Sequence, residues 1–324
     1  MTGKEFWSRS AAAVRNCLPS TGKTAVWMVK ITLAVSFAIM LLGHFGVIGW
    51  ISRVLSPVFI HFGLPGEAAL AYVSGYFVNM YSAIAAAVTL DLDTRAMTIL
   101  GVMALCSHNM LVETAVQKKT GSAALRMVLV RTFSGIILAY VLNLILPGQA
   151  SVLAGADSPE EAARPGFREE LLQWLGNACI LVPKMLAIIF SLNVLQAVMA
   201  EFGIIRMISK ALRPVMHLFG LSSRCAVLWI IANTLGLAYG AAAMIEEAGK
   251  GKLRKEDIDG LNTHIGISHS NLEDIILLSS VGAVWWVMLV SRWVWAIILV
   301  WGFRLEVYIR NKYCIFVSSE RNAR

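Results

Sequence analysis

Two short polar runs interrupt otherwise apolar stretches of this chain: Ser107-His108-Asn109 followed by Glu113, and Ser268-His269-Ser270-Asn271 followed by Glu273 and Asp274. Imidazole and carboxylate groups held together can relay a proton or ligate a metal ion, and a buried acid beside a histidine is a candidate proton carrier. His269 and Glu273 are four residues apart and need no break to share a helical face. His108 and Glu113 are five apart, roughly 140° around an ideal helix, and meet only where that helix is broken. The bland alternative is that each histidine bonds a neighbouring carbonyl while the acids neutralise Arg131 and Arg292. Ionisable groups deep in an apolar segment are costly, and two in equivalent places favour function. No Ser-Lys, paired Asp or His-Glu-x-x-His constellation for intramembrane hydrolysis is present, so an enzyme is not expected.

The elements that carry these residues belong in a bilayer. Of 324 residues, 57% are hydrophobic and 15% charged, the wrong balance for a water-soluble domain. A spanning helix needs about 20 mostly apolar residues. Thr24 to Gly43 is the first such stretch; it follows a basic leader and has no small-residue cleavage site after it, so it reads as a retained helix. The net charge of +8 comes from Lys and Arg placed between apolar segments, without an aromatic-interleaved basic surface, which argues for topology and against nucleic acid. Five single cysteines give neither a disulfide framework nor a zinc finger.

The chain also repeats itself. Phe45-Gly46-Val47-Ile48 through Ser56-Pro57-Val58 matches Phe202-Gly203-Ile204-Ile205 through Arg213-Pro214-Val215, and Phe62-Gly63-Leu64 matches Phe219-Gly220-Leu221. After a short insertion in the second copy, Ser107-His108 aligns with Ser268-His269 and Arg131 with Arg292. Order, spacing and rare residues together point to two copies of one unit. Each is expected to contain a leading helix, an interfacial amphipathic helix, a re-entrant hairpin, an interrupted helix and a final helix. In the first copy these are Thr24 to Gly43, Val47 to Phe62, Pro65 to Leu90, Ala96 to Gln117 and Ser122 to Leu146. In the second they are Leu171 to Ala200, Ile204 to Phe219, Ser222 to Ala248, Ile258 to Ser279 and Val281 to Phe303.

Charge sets the expected orientation. With Pro65 to Leu90 and Ser222 to Ala248 as hairpins that enter and leave on one side, each copy crosses an odd number of times, and the copies are inverted. The basic N-terminus, Lys118-Lys119, the Arg206 to Arg224 cluster, the Lys250 to Lys255 loop and the basic C-terminus then face the cytoplasm. The acidic linker and Asp91-Leu92-Asp93 face outward, as the positive-inside rule requires. The expected organisation is an all-α integral membrane protein: a cytoplasmic segment 1–23, repeat one 24–146, an external linker 147–170, repeat two 171–303 and a cytoplasmic tail 304–324. A bacterial inner membrane is the expected location, with both ends inside.

Hairpin tips are expected near Asn79 and near Asn233-Thr234-Leu235-Gly236. Non-helical backbone at membrane depth is tolerated only against protein or a wet cavity, so the architecture implies a central polar site. Asn79, Tyr76, Tyr81 and Ser82, with Asn233, Thr234 and Tyr239, are candidate neutral groups there, tip capping being the alternative for each. Lys30 and Lys184 read as snorkelling residues, and Arg131 and Arg292 as structural ties.

In the repeated Phe-Gly-Leu and Ser-His elements, and in the order of segments from about Thr24 to Phe303, the chain resembles the nucleoside recognition, or gate-domain, family. That family includes spore maturation proteins, the membrane part of ferrous iron transporter B and, distantly, concentrative nucleoside transporters. The resemblance implies an inverted-repeat transporter core in which two hairpin tips and two interrupted helices meet near the midplane. It implies Ser107, His108, Asn109 and Glu113 with Ser268, His269, Ser270, Asn271 and Glu273 as site residues. The chain departs from the family in having no GTP-binding P-loop and no hairpin of Gln-Thr-Glu character, so neither the GTPase-driven iron route nor a nucleoside substrate follows.

The expected function is a secondary transporter for a small polar solute working by alternating access, with substrate-binding residues Ser107, His108, Asn109, Glu113, Ser268, His269, Ser270, Asn271, Glu273, Asn79, Asn233 and Thr234. One alternative is a divalent-metal permease with His108, His269, Glu113, Glu273 and Asp274 as ligands. Another is a non-transporting membrane factor that acts through a partner. No cofactor is implied; a proton or other cation is a candidate coupling ion, and a homo-oligomer is a candidate assembly.

Overall fold

The computed structural model describes residues 2–90, 92–148, 166–249 and 253–322, and every regular element among them is helical. Most of the acidic linker, Asp91 and part of the Lys250 to Lys255 loop lie outside the described residues, as does the side chain of Tyr239. Helices α1 (Gly3–His44), α2 (Val47–Phe59), α3 (Ala68–Phe77), α4 (Met80–Ala87), α5 (Thr94–Ser107), α6 (Met110–Lys119) and α7 (Ala124–Ile145) make up the first half. The second half contains α8 (Phe167–Glu201), α9 (Ile204–Leu218), α10 (Ala226–Gly249), α11 (Lys255–Ser268), α12 (Glu273–Ser280) and α13 (Trp285–Asn322).

The leading and final helices are longer than their apolar runs. Thr2 caps α1 by accepting from the backbone of Glu5 while the Glu5 carboxylate accepts from the Thr2 backbone, so the basic leader is wound into the same helix. The C-terminal tail likewise continues α13 as far as Asn322. Among the described residues, five stretches are long and apolar enough to cross a membrane: Gly3–His44, Thr94–Lys119, Ala124–Ile145, Phe167–Glu201 and Trp285–Lys312. The expected sixth, formed by α11 and α12, carries Lys255, Glu256, Asp257, Asp259, Glu273 and Asp274 and is too polar to join them.

The repeated Phe-Gly pairs have a local cause. Gly46 and Gly203 sit between the leading and amphipathic helices with φ of 73° and 64°, and Gly63 and Gly220 close the amphipathic helices at 66° and 70°. A Cβ is disfavoured in this left-handed region, so glycine turns the chain at the same places in both halves.

Two of the expected breaks are backbone interruptions. α3 and α4 are parted at Val78 and Asn79, and fold back closely enough that Gly75 faces Ala83. Asn79 is extended, and its Oδ1 accepts from Ser82 N (2.9 Å), capping α4. α10 is interrupted at Gly236, whose φ of 77° and ψ of 166° are open essentially to glycine alone. The second break therefore falls at Gly236, the last residue of the expected Asn233-Thr234-Leu235-Gly236 tip. α4 is wholly buried and alanine-rich, the composition that lets helices approach where lipid removes the hydrophobic drive to associate.

Across the halves the pairing is antiparallel. Arg9 near the start of α1 meets Glu201 at the end of α8 (2.7 Å), and His44 at the end of α1 meets Glu170 near the start of α8 (3.0 Å). The broken helices follow suit. Gln117 at the end of α6 donates to the carbonyl of Asn262 in α11 (3.1 Å), whereas Thr98 near the start of α5 accepts from Val284 N, beyond α12 (2.9 Å).

Candidate functional site

The four interruptions converge. α5 ends at Ser107, His108 is extended, and Asn109 takes a left-handed conformation (φ 49°) before α6 begins. α11 ends at Ser268, His269 is extended and Ser270 is left-handed (φ 53°). Asn109 N donates to the Gly75 carbonyl of the first hairpin (2.8 Å), and the Oγ of Ser270 approaches Gly236 of α10 closely enough that a Cβ there would lie 3.2 Å away. Between them lies a cavity of about 70 Å³, lined among others by Asn79, Tyr81, His108, Glu113, Glu273 and Asp274.

The break at His108 and Asn109 brings Glu113 back onto His108, the condition that the five-residue spacing imposes. His108 Nε2 lies 3.3 Å from Glu113 Oε1 and 3.3 Å from Asp274 Oδ2, while His269 Nε2 lies 3.0 Å from the same Glu113 Oε1. The two imidazoles stack, with centroids 4.9 Å apart and 24° between planes. His108, Glu113 and His269 are each more than nine-tenths buried and form a group of potential metal-ligand atoms, all within 4.8 Å of one another.

Both arginines act on backbone that the breaks leave unpaired. Arg131 donates from Nε to the Cys106 carbonyl (3.0 Å) and from a terminal nitrogen to the His108 carbonyl (2.7 Å), and it lies 2.7 Å from Glu113 Oε2. Arg292 donates to the carbonyls of Ile267 (3.2 Å) and His269 (3.1 Å) and to Asn271 Oδ1 (2.8 Å). Each guanidinium thus ties the open carbonyl end of a broken helix to the final helix of its half.

Three expectations are corrected. Glu273 does not share a face with His269, because the chain breaks between them, and it accepts instead from the Tyr81 hydroxyl. The counterpart of Glu113 is Asp274: the spacing that aligns Ser107 with Ser268 aligns these two acids, a signal present in the sequence beside that of the closer Glu273. Thr234 is not among the residues that line the cavity. Its hydroxyl donates to the Ile230 carbonyl one turn back (2.7 Å) and its carbonyl accepts from Gln196 (2.6 Å).

The remaining candidates divide by position. Asn109 and Ser270 line the cavity. Ser107 donates to the Met103 carbonyl (3.0 Å) and pairs with the Tyr72 hydroxyl (3.2 Å), and Ser268 is held by His264, so both brace their helices. Asn233 donates to the Trp229 carbonyl (2.8 Å) and accepts from Asn271 (2.5 Å), joining α10 to the second break. Tyr76 pairs with Thr132 (3.0 Å), and Ser82 with Asn79 (3.1 Å).

The family model for Gate, described as nucleoside recognition, matches residues 25–146. The chain is similar to the uncharacterized membrane protein YvoD of Bacillus subtilis (strain 168), with 29% identity over 282 residues, 86% of this chain and 90% of that relative. No solved structure matches the chain. Residues 25–146 are thus similar to the Gate, or nucleoside recognition, family, and lie in an integral membrane protein.

Proposed function

We propose that this chain is a secondary transporter, not an enzyme, which moves a small polar solute or ion through the cavity at the four breaks by alternating access. The observation that carries the reading is the meeting of two interrupted helices and two hairpin breaks around one small cavity whose lining includes His108, Glu113, Glu273 and Asp274. Broken helices facing each other across related halves are the usual substrate site of secondary transporters. The antiparallel pairing of α1 with α8, and of α5–α6 with α11–α12, supports two halves inverted in the membrane. The similarity to a bacterial membrane protein supports a bacterial inner membrane, with the basic N- and C-terminal segments on the cytoplasmic side.

A cavity of about 70 Å³ accommodates water or an ion. Pockets for drug-sized molecules are roughly 300–1,000 Å³, so in this conformation the space is far too small for a nucleoside. Uptake into proteoliposomes, screened against metal ions, organic acids and nucleosides, tests the reading. A solute taken up by the wild type and not by Glu113→Gln is the expected result; no flux of any solute class by folded, correctly inserted protein overturns it.

A further inference from the structure

We infer that the cluster of His108, Glu113 and His269 at the wall of the central cavity is a site for a divalent first-row transition-metal ion, with His108 Nε2, His269 Nε2 and Glu113 Oε1 as ligands and Asp274 as the fourth. The inference rests on reading the cavity as the substrate site and names its occupant.

The histidine tautomers carry the argument. His108 Nδ1 lies 3.1 Å from the Leu105 carbonyl and His269 Nδ1 lies 2.7 Å from the Ile265 carbonyl. A carbonyl oxygen can only accept, so Nδ1 carries a proton in both rings, and a ring that holds that one proton presents a lone pair at Nε2. Both lone pairs face Glu113 Oε1, at 3.3 and 3.0 Å, and that of His108 also faces Asp274 Oδ2 at 3.3 Å. Two ring nitrogens and two carboxylate oxygens turned on one another call for a proton or a metal cation among them.

The spacing fits a metal ion. An ion bound about 2.0–2.2 Å from nitrogen and oxygen, in tetrahedral or octahedral array, sets neighbouring ligand atoms roughly 2.8–3.6 Å apart. The separations of 3.0 and 3.3 Å fall in that interval. Two imidazoles with carboxylates suit zinc, iron(II), manganese or cobalt, whereas magnesium and calcium take oxygen ligands.

The surroundings are those of a ligand set held in place. Backbone carbonyls orient both rings, and Arg131 occupies Glu113 Oε2, leaving Oε1 turned to the imidazoles. Asn79 also lines the cavity, nine-tenths buried, and its Nδ2 has no hydrogen-bond partner among the described residues. That amide is a donor suited to a water that completes the coordination shell.

Tag-free protein, stripped with chelator and kept in detergent, is titrated with Co²⁺ and Zn²⁺ by calorimetry and by Co²⁺ ligand-field absorption. The expected result is one saturable site that weakens as pH falls, because protons compete for the imidazoles. His269→Gln and Glu113→Gln should each lower affinity at least about tenfold, the scale on which lost shell contacts act. His44→Ala, at the His44–Glu170 pair between α1 and α8, should leave it unchanged. Absence of saturable binding to folded wild type overturns the inference, and so does binding that survives both substitutions together. Metal bound without flux of any solute overturns the transport reading and leaves the site standing; solute uptake by protein that binds no metal does the reverse.

Discussion

Glu113 and Arg131, on consecutive helices, form a buried ion pair with 2.7 Å between Oε2 and the guanidinium, whose side chain is 0% exposed. The same guanidinium holds the carbonyls of Cys106 and His108, so it stabilises a charge and a helix end at once. Arg131→Met leaves a carboxylate and two carbonyls stranded and should cost about 3–5 kcal/mol, the range for breaking one side of a buried pair. Denaturation of purified protein measures it. Adding Glu113→Gln should recover part of the loss, because the stranded charge goes with it.

The residues after the two histidines should tolerate glycine better than their helical neighbours do. Asn109 and Ser270 hold positive φ, which glycine adopts without steric cost. Asn109→Gly and Ser270→Gly are expected within about 0.5 kcal/mol of wild type, whereas Asn109→Val should lose roughly 1–3 kcal/mol through backbone strain. Melting temperatures of the three variants rank them.

Glycine-to-alanine changes should separate packed from open helix faces. A Cβ at Gly135 would sit 2.8 Å from the Met103 carbonyl, and one at Gly75 would sit 2.9 Å from the Ala83 Cβ, so either substitution pushes helices apart. A loss of about 1–3 kcal/mol is expected at both, read from the thermal denaturation of each variant. Gly176, within α8, has nothing within 4 Å, and alanine there should gain up to about 1 kcal/mol from reduced backbone freedom in the unfolded chain.

Single cysteines report the orientation of the halves. In a cysteine-free background, Arg9→Cys, Glu201→Cys and Lys118→Cys should react with an impermeant reagent from one side of the membrane. His44→Cys, Glu170→Cys and Pro147→Cys should react from the other. Labelling of Lys118→Cys and Pro147→Cys from the same side contradicts inversion. The charge-swapped double variant, Arg9→Glu with Glu201→Arg, should differ from wild type in stability by less than about 1 kcal/mol, since partly exposed pairs of this kind contribute little.

The parts of this fold that were legible in the sequence are those written in local chemistry. The Phe-Gly pairs, the Asn79 cap and the Ser-His interruptions each follow from what a residue does to its own backbone. The ends of α1 and α13 were not legible, because hydropathy records where lipid begins and says nothing of a polar capping box that carries the helix past it. Nor was the pairing of His269 with Glu113, 156 residues away, since only tertiary closure brings those atoms within 3.0 Å. Glu273 is the acid one turn from His269, and a continuous helix would put the two side by side; the left-handed Ser270 cancels that rule, and the next acid, Asp274, faces His108 of the other half.

The tie between Arg9 and Glu201 and the one between His44 and Glu170 also mark how far α1 must travel. From Arg9 to His44 the helix rises about 52 Å, against about 30 Å of hydrocarbon and 40–45 Å with headgroups included. A rod of that length outreaches the hydrocarbon, so the basic, capped first turns of α1 stand beyond it among headgroups and water. The two leading helices are therefore clasped at both extremities by polar pairs, Arg9 with Glu201 and His44 with Glu170, so that neither can slide along the other without breaking one.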